Sequence, residues 1–129
     1  MGSSGSEVVT VDVAEAKRLV EAGRHSYLDV RTREEFRRGH CLAPKIFNVP
    51  YMFNSPHGRV KNPEFLSQVS SLLDQTDHIV VGCQSGVRSF HAAADLIAAG
   101  YKNASNMGGG YVAWVSHIFP VQAEQPHGI

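Results

Sequence analysis

The chain has 129 residues, 43% hydrophobic and 19% charged, enough for one domain with a substantial core and too few for two. Twelve Lys and Arg balance twelve Asp and Glu, so no long-range positive field draws the chain to nucleic acid or to an anionic membrane. No apolar run nears the roughly 18 residues of a membrane span, and two cysteines, Cys41 and Cys83, can build neither a disulfide framework nor a closed cysteine zinc site.

Met1 to Ser6 read as a Gly/Ser cloning leader, residues 7–121 as one domain, and residues 122–129 as a flexible tail of low apolar content. Val8 to Val11 is a short β-branched run. Asp12 with Glu15 then forms a capping-box pattern for a helix with Val13, Ala16, Leu19 and Val20 on one face, ended by Gly23. Ser26 to Val30 reads as a strand, and Thr32 with Glu35 opens a second, charged helix that stops at Gly39. Ile46 to Val49 is a brief apolar run closed by Pro50, and Tyr51 to Lys61 has the composition of an exposed loop.

Asn62-Pro63 is a helix start, followed by a stripe of Phe65, Leu66, Val69, Leu72 and Leu73. His78 to Gly82 has the continuous apolar character of a central strand buried on both faces. Phe90, Ala93, Ala94 and Ile97 mark a helix ending at Gly100, and a weak run from Ala104 to Met107, three glycines and a turn through Trp114 complete the pattern. Strands alternating with helices predict an α/β fold, a mostly parallel sheet of about five strands covered by helices on both faces. Ligands of such sheets bind beyond the carboxyl ends of the strands.

That rule points to Cys83-Gln84-Ser85-Gly86-Val87-Arg88-Ser89, which joins the most strand-like segment to the next helix. A loop closing onto a helix N-terminus presents unpaired amides and the positive end of the helix dipole, so it stabilises an anion and acidifies a thiol. Arg88 adds a fixed charge, Ser89 is placed to cap the helix, and Gly86 lets the backbone turn without a Cβ clash. Such a loop can activate a nucleophilic thiolate and hold the anion it attacks.

With these residues in place, the chain resembles the rhodanese-like sulfurtransferase family from Val9 to Val121. The resemblance rests on Leu28-Asp29-Val30-Arg31 with Glu34-Glu35-Phe36 and Gly39-His40, on Asn48-Val49-Pro50, on the Cys83 loop, and on Gly109-Gly110-Tyr111 with Ala113-Trp114. Asn48-Val49-Pro50-Tyr51-Met52, Lys61-Asn62-Pro63 and Gly108-Gly109-Gly110-Tyr111 are most similar to single-domain plant members of the senescence-associated or dark-inducible type. The resemblance implies a rhodanese fold and a thiosulfate sulfurtransferase that needs no metal and no organic cofactor. Cys83 would be the catalytic nucleophile, forming a persulfide discharged by a thiol or cyanide. Gln84, Ser85, Gly86, Val87, Arg88 and Ser89 would form the substrate cradle, with Arg88 touching the donor anion and Asp29 and Arg31 in support. The implied partners are a small-molecule sulfur donor and a thiol acceptor, which an acceptor protein could supply, with no nucleic acid or membrane partner and a monomeric chain. The implied compartment is the cytoplasm or the plastid.

Four residues separate Cys83 from Arg88, where related phosphatases and arsenate-handling members resemble one another in using five. Gly82 also replaces the His typical of phosphatase loops. These departures favour sulfur transfer over arsenate reductase or phosphatase chemistry at the same cysteine, and the presence of Cys83 argues against the other alternative, a non-enzymatic binding or regulatory module. Ser85-Gly86-Val87 is similar to the mercaptopyruvate type and Arg88 to the thiosulfate type, so the donor stays open between them.

Other residues have plainer readings. The seven His residues show no metal-ligand spacing. His40 is expected at a helix terminus, Trp114 and Tyr111 in the core or on the active-site rim, and Arg31, Arg33, Arg37 and Arg38 on a solvated helix face or a docking surface. Cys41 is expected to be a buried structural thiol, the sharper alternative being a resolving partner for Cys83.

Overall fold

The computed structural model describes residues 7–124; the leader read at Met1 to Ser6 and the last five residues lie outside them. Its frame is a five-stranded sheet in the order β1 (Thr10–Val11), β8 (Ala104–Met107), β7 (His78–Gly82), β2 (His25–Asp29), β4 (Ile46–Asn48), with every pairing parallel. β7 is central, as its unbroken apolar run predicts, and Ile79, Val80 and Val81 are all fully buried. The register sets Leu28 beside Val81 and Asp29 beside Gly82, so β2 and β7 deliver their following loops to the same edge.

Strand alternation divides the core into two layers. Leu28, Ile79 and Val81 face α3 (Phe65–Ser70) and α4 (Val87–Ala98), where Phe65, Val69, Ala92, Ala93 and Leu96 meet them. Tyr27, Val80 and Met107 face α1 (Val13–Glu21) and α5 (Gly110–Ser116), packing against Val13, Ala16, Val20 and Trp114. The expected α/β sheet covered on both faces is therefore present. Among the described residues no helix is long and apolar enough to cross a membrane.

The helix starts follow their caps. Asp12 accepts from the Glu15 amide at 2.8 Å, while Glu15 turns to Arg18. The box at α2 (Arg33–Arg38) is complete: Thr32 Oγ1 accepts from the Glu35 amide and Glu35 accepts from the Thr32 amide. Asn62 accepts from the Glu64 amide and donates to Pro50 O, which ties a preliminary turn to the sheet before α3 begins at Phe65.

Three expectations are corrected. The segment from Tyr51 to Lys61 contains a hairpin of β5 (Met52–Ser55) and β6 (Gly58–Lys61) with Phe53 opposite Val60; its polar turn residues hid a two-strand alternation. The buried face of α4 is Arg88, Ser89, Ala92, Ala93 and Leu96, with Phe90 42% exposed, and this rotation sets Ser89 under the Cys83 loop. The tail expected from Gln122 is paired as far as Glu124: β9 (Val121–Gln122) is antiparallel to β3 (His40–Cys41), and the Glu124 amide donates to Arg37 O.

Trp114 anchors the layer beneath the loop. It is fully buried, its Nε1 donates to Pro120 O at 2.7 Å, and Phe119 meets its ring edge-on. Trp114→Ala is expected to lower unfolding free energy by about 3–5 kcal/mol, measured by urea denaturation with an unchanged slope.

Candidate active site

From β2 the chain runs outward to β4, and from β7 it runs the other way to β8. The carboxyl ends of β2 and β7 thus flank the point where the sheet order reverses, the place where open α/β sheets bind ligands. Asp29 to Arg31 line one side of that crevice and the Cys83 loop the other.

Cys83 is 1% exposed, and its Sγ accepts from the Gly86 amide at 3.1 Å and from the Ser89 amide and hydroxyl at 3.3 Å each. Burial by itself raises the thiol pKa. The donors from Ser89, Gly86 and Ser85 together outweigh it and bring the thiol below its ordinary value. The sulfur thus takes the amide of the third residue of α4, the bond a capping side chain would make. Ser89 is therefore not the cap; Gly86 holds that position with φ +100°, the left-handed region. A Cβ there would also press on the Gly109 amide, which bears out the need for glycine.

The amides can converge on sulfur because the loop's carbonyls are bound elsewhere. Tyr111 N donates to Cys83 O at 2.8 Å and Val112 N to Gln84 O at 3.0 Å, both from the first turn of α5. Gly110 makes this approach feasible, since a Cβ would fall among those two carbonyls. Gly82, just before the nucleophile, packs against the Tyr27 hydroxyl so closely that any Cβ would collide with it. That contact gives a physical reason why no histidine stands there.

The supporting residues form two ion pairs. Asp29 accepts from the backbone N, Nε and Nη2 of Arg31 at 3.0, 3.0 and 2.8 Å. Arg31 then donates to Gly39 O and to Gln84 Oε1, and lies 4.4 Å from the centre of the Tyr111 ring. Both members are almost fully buried. Arg31 is thus no part of an arginine docking face; Arg33 donates to Asn48 O, and Arg37 and Arg38 pair with Glu124 and Glu34.

In the second pair, Arg88 donates through Nη1 and Nη2 to the two oxygens of Glu35 at 2.9 and 3.1 Å. The fork that sequence reasoning left free for a donor anion is occupied, and it clamps α2 to the first turn of α4. Burial would raise the Glu35 pKa, but bonds from Arg88 and Thr32 overcome it and hold the carboxyl at about 2. A cleft of about 330 Å³ opens beside the loop, lined by Arg31, Glu35, Arg38, Gly39, Gln84 and Tyr111.

Ser85 and Val87 complete the loop, and Val87 is 62% exposed at its outer edge. Tyr111 stands at the cleft rim while Trp114 belongs to the core. His40 Nδ1 lies 2.8 Å from Phe36 O at the end of α2 and stacks on the Phe36 ring, the helix-terminus role expected of it. Cys41 is a free, fully buried thiol in the opposite core layer from Cys83, and burial pushes its pKa up to about 12. Its burial and raised pKa accord with the structural reading.

Sequence reasoning missed Glu35 as a partner of the loop, although its capping box had drawn attention to it. It also missed Tyr27 and Asn106. The signal for Asn106 was an amide in a strand, where such residues are depleted.

Fold and loop together define an α/β protein with a buried, acidified thiol at its switch point. The rhodanese-like domain is matched over residues 12–117, and the chain belongs to that family. It is 62% identical over 123 residues to Thiosulfate sulfurtransferase 18 of Arabidopsis thaliana, covering 95% of this chain and 90% of that one. It is 44% identical over 113 residues to the senescence-associated protein DIN1 of Raphanus sativus, covering 88% of this chain and 60% of the relative. These relatives bear out the single-domain plant type read from the motifs. The solution structure of a rhodanese-like domain from Anabaena matches with a TM-score of 0.73 at 22% identity, covering 95% of this chain and 88% of that one, a likeness of fold.

Glu35 also sets an acid limit. A carboxyl depressed to about 2 in the folded state contributes stability that is complete above its unfolded pKa of roughly 4.3 and is lost as pH falls through the folded value. Thermal melts from pH 6 to 2 should show Glu35→Gln with a lower melting temperature at pH 6 and a shallower acid decline than the parent.

Proposed function

We propose that this protein is a thiosulfate sulfurtransferase, moving a sulfane sulfur from thiosulfate or a similar donor to a thiol or cyanide through a persulfide on Cys83. The observation that carries the reading is the Cys83 sulfur receiving three N–H and O–H donors while the neighbouring carbonyls point into α5. In the first half-reaction the thiolate electron pair forms a bond to the outer sulfur of thiosulfate. The bond to the sulfonate sulfur breaks, and its pair leaves with sulfite. The new terminal sulfur is anionic, and the amides of Gln84 to Ser89 would meet its charge as an oxyanion hole meets an alkoxide. In the second, a thiol or cyanide takes that sulfur and the Cys83 thiolate returns, a ping-pong cycle.

The supporting roles follow from the geometry. Asp29 holds Arg31, Arg31 holds Gln84 by its side chain, and the Glu35–Arg88 pair fixes the start of α4. With Arg88 so engaged, the donor's sulfonate is met first by the loop amides and by the field at the helix N-terminus. The cleft lined by Arg31, Gln84 and Tyr111 is the approach for the donor and for a thiol acceptor, free or carried on a protein. The chain is read as a monomer, and its thiolate chemistry suits a reducing compartment such as the cytoplasm or plastid.

Intact mass after thiosulfate treatment tests the reading. The parent should gain one sulfur atom and lose it to cyanide, and Cys83→Ser should gain none while keeping its melting temperature. A parent that gains no sulfur from thiosulfate or mercaptopyruvate would instead favour a binding module.

A further inference from the structure

The Ser89 hydroxyl lies between two acceptors. Its Oγ is 3.3 Å from Cys83 Sγ and 2.5 Å from Asn106 Oδ1, yet a hydroxyl carries a single proton. Asn106 is 3% exposed on β8, and its Nδ2 donates to Thr10 Oγ1 at 3.3 Å. Thr10 is exposed, and its hydroxyl can donate as well as accept.

Two arrangements satisfy this chain of four groups from end to end. With Cys83 as a thiol, S–H donates to Ser89 Oγ, Ser89 donates to Asn106 Oδ1, and Asn106 Nδ2 donates to Thr10. With Cys83 as a thiolate, the Ser89 proton belongs on sulfur. Asn106 Oδ1 would then face the Ser89 oxygen with no proton between them, an uncompensated contact in a buried place. Turning the amide over removes it: Nδ2 donates to Ser89 Oγ and Oδ1 accepts from the Thr10 hydroxyl.

We propose that Asn106 is a positioning residue for sulfur transfer, its side-chain amide turning over as Cys83 ionises and so committing the single Ser89 proton to the thiolate. The purpose assigned to this motion rests on the sulfurtransferase reading. Once the persulfide forms, Sγ is a neutral and weaker acceptor, so the amide is free to return; the chain holds the anion before attack and releases it afterwards. The charged groups around the loop are the Asp29–Arg31 pair beyond β2, the Glu35–Arg88 pair joining α2 to α4, and Arg38 of the cleft, which pairs with Glu34. Each is neutral as a pair, and α5 contributes Tyr111, whose pKa burial raises.

The test uses the wild-type protein, with the side-chain amide signals of Asn106 followed by nitrogen-15 NMR through a pH titration. They should shift with the midpoint of thiolate absorbance and stay still in Cys83→Ser; signals that are flat across that midpoint would overturn the proposal. Thiosulfate plays no part in this titration, so the outcome is separable from the mass experiment. Asn106→Asp supplies a second readout, because a carboxylate accepts and cannot turn to donate. Its thiol should bind a proton about tenfold more tightly or more, and most of that change should vanish in a Ser89→Ala background. An equal shift in both backgrounds would mean that the new charge acts through space, and the relay would be abandoned.

Discussion

The structure turns on where two carbonyl groups point. If the Cys83 and Gln84 oxygens faced the crevice, the loop would repel the anion it has to hold; their capture by the Tyr111 and Val112 amides turns the loop's amide face toward sulfur. Much of the C-terminal third exists to keep that capture in place. Gly110 permits the close approach, Gly109 takes a left-handed φ to start α5, and Trp114 roots the helix in the lower core. Hydrogen bonds of this kind are individually modest. Their value here is directional, since they set the sign of the potential at one atom.

Around the loop, charge is used for position more than for attraction. Both buried arginines are neutralised by carboxylates of the site, Arg31 by Asp29 and Arg88 by Glu35. Burying such pairs costs desolvation that their mutual attraction only partly offsets. What they provide is register: the bidentate Glu35–Arg88 contact ties α2 to α4, and Arg31, held bidentately by Asp29, reaches the Cys83 loop through one bond to Gln84. The thiolate therefore depends on short-range donors and the helix N-terminus, and the side chains around it carry little net charge.

Much of this architecture is legible in the residues. The unbroken apolar run of β7 identifies the central strand, the capping pairs Asp12/Glu15 and Thr32/Glu35 start helices where they fall, and Gly86 marks the turn after Cys83. Other features depend on partners that are distant along the chain. The β5–β6 hairpin is obscured by polar residues that serve equally well in a loop. The face that α4 buries is chosen by the need to bring Ser89 to sulfur, which outweighs the pull of Phe90. The occupation of Arg88 by Glu35 and of Ser89 by Asn106 spans 53 and 17 positions, and local pattern carries no trace of either.

Cys41 lies against Tyr27 in the core layer on the opposite side of the sheet from Cys83. A bond between the two sulfurs would have to bridge the two layers, which sets Cys83 apart from cysteines that have a resolving partner beside them. A sulfenic acid formed there would be restored by condensation with a thiol from another molecule. The same small thiols that accept sulfur would then be the agents of repair, and their supply would govern both turnover and the lifetime of the active protein.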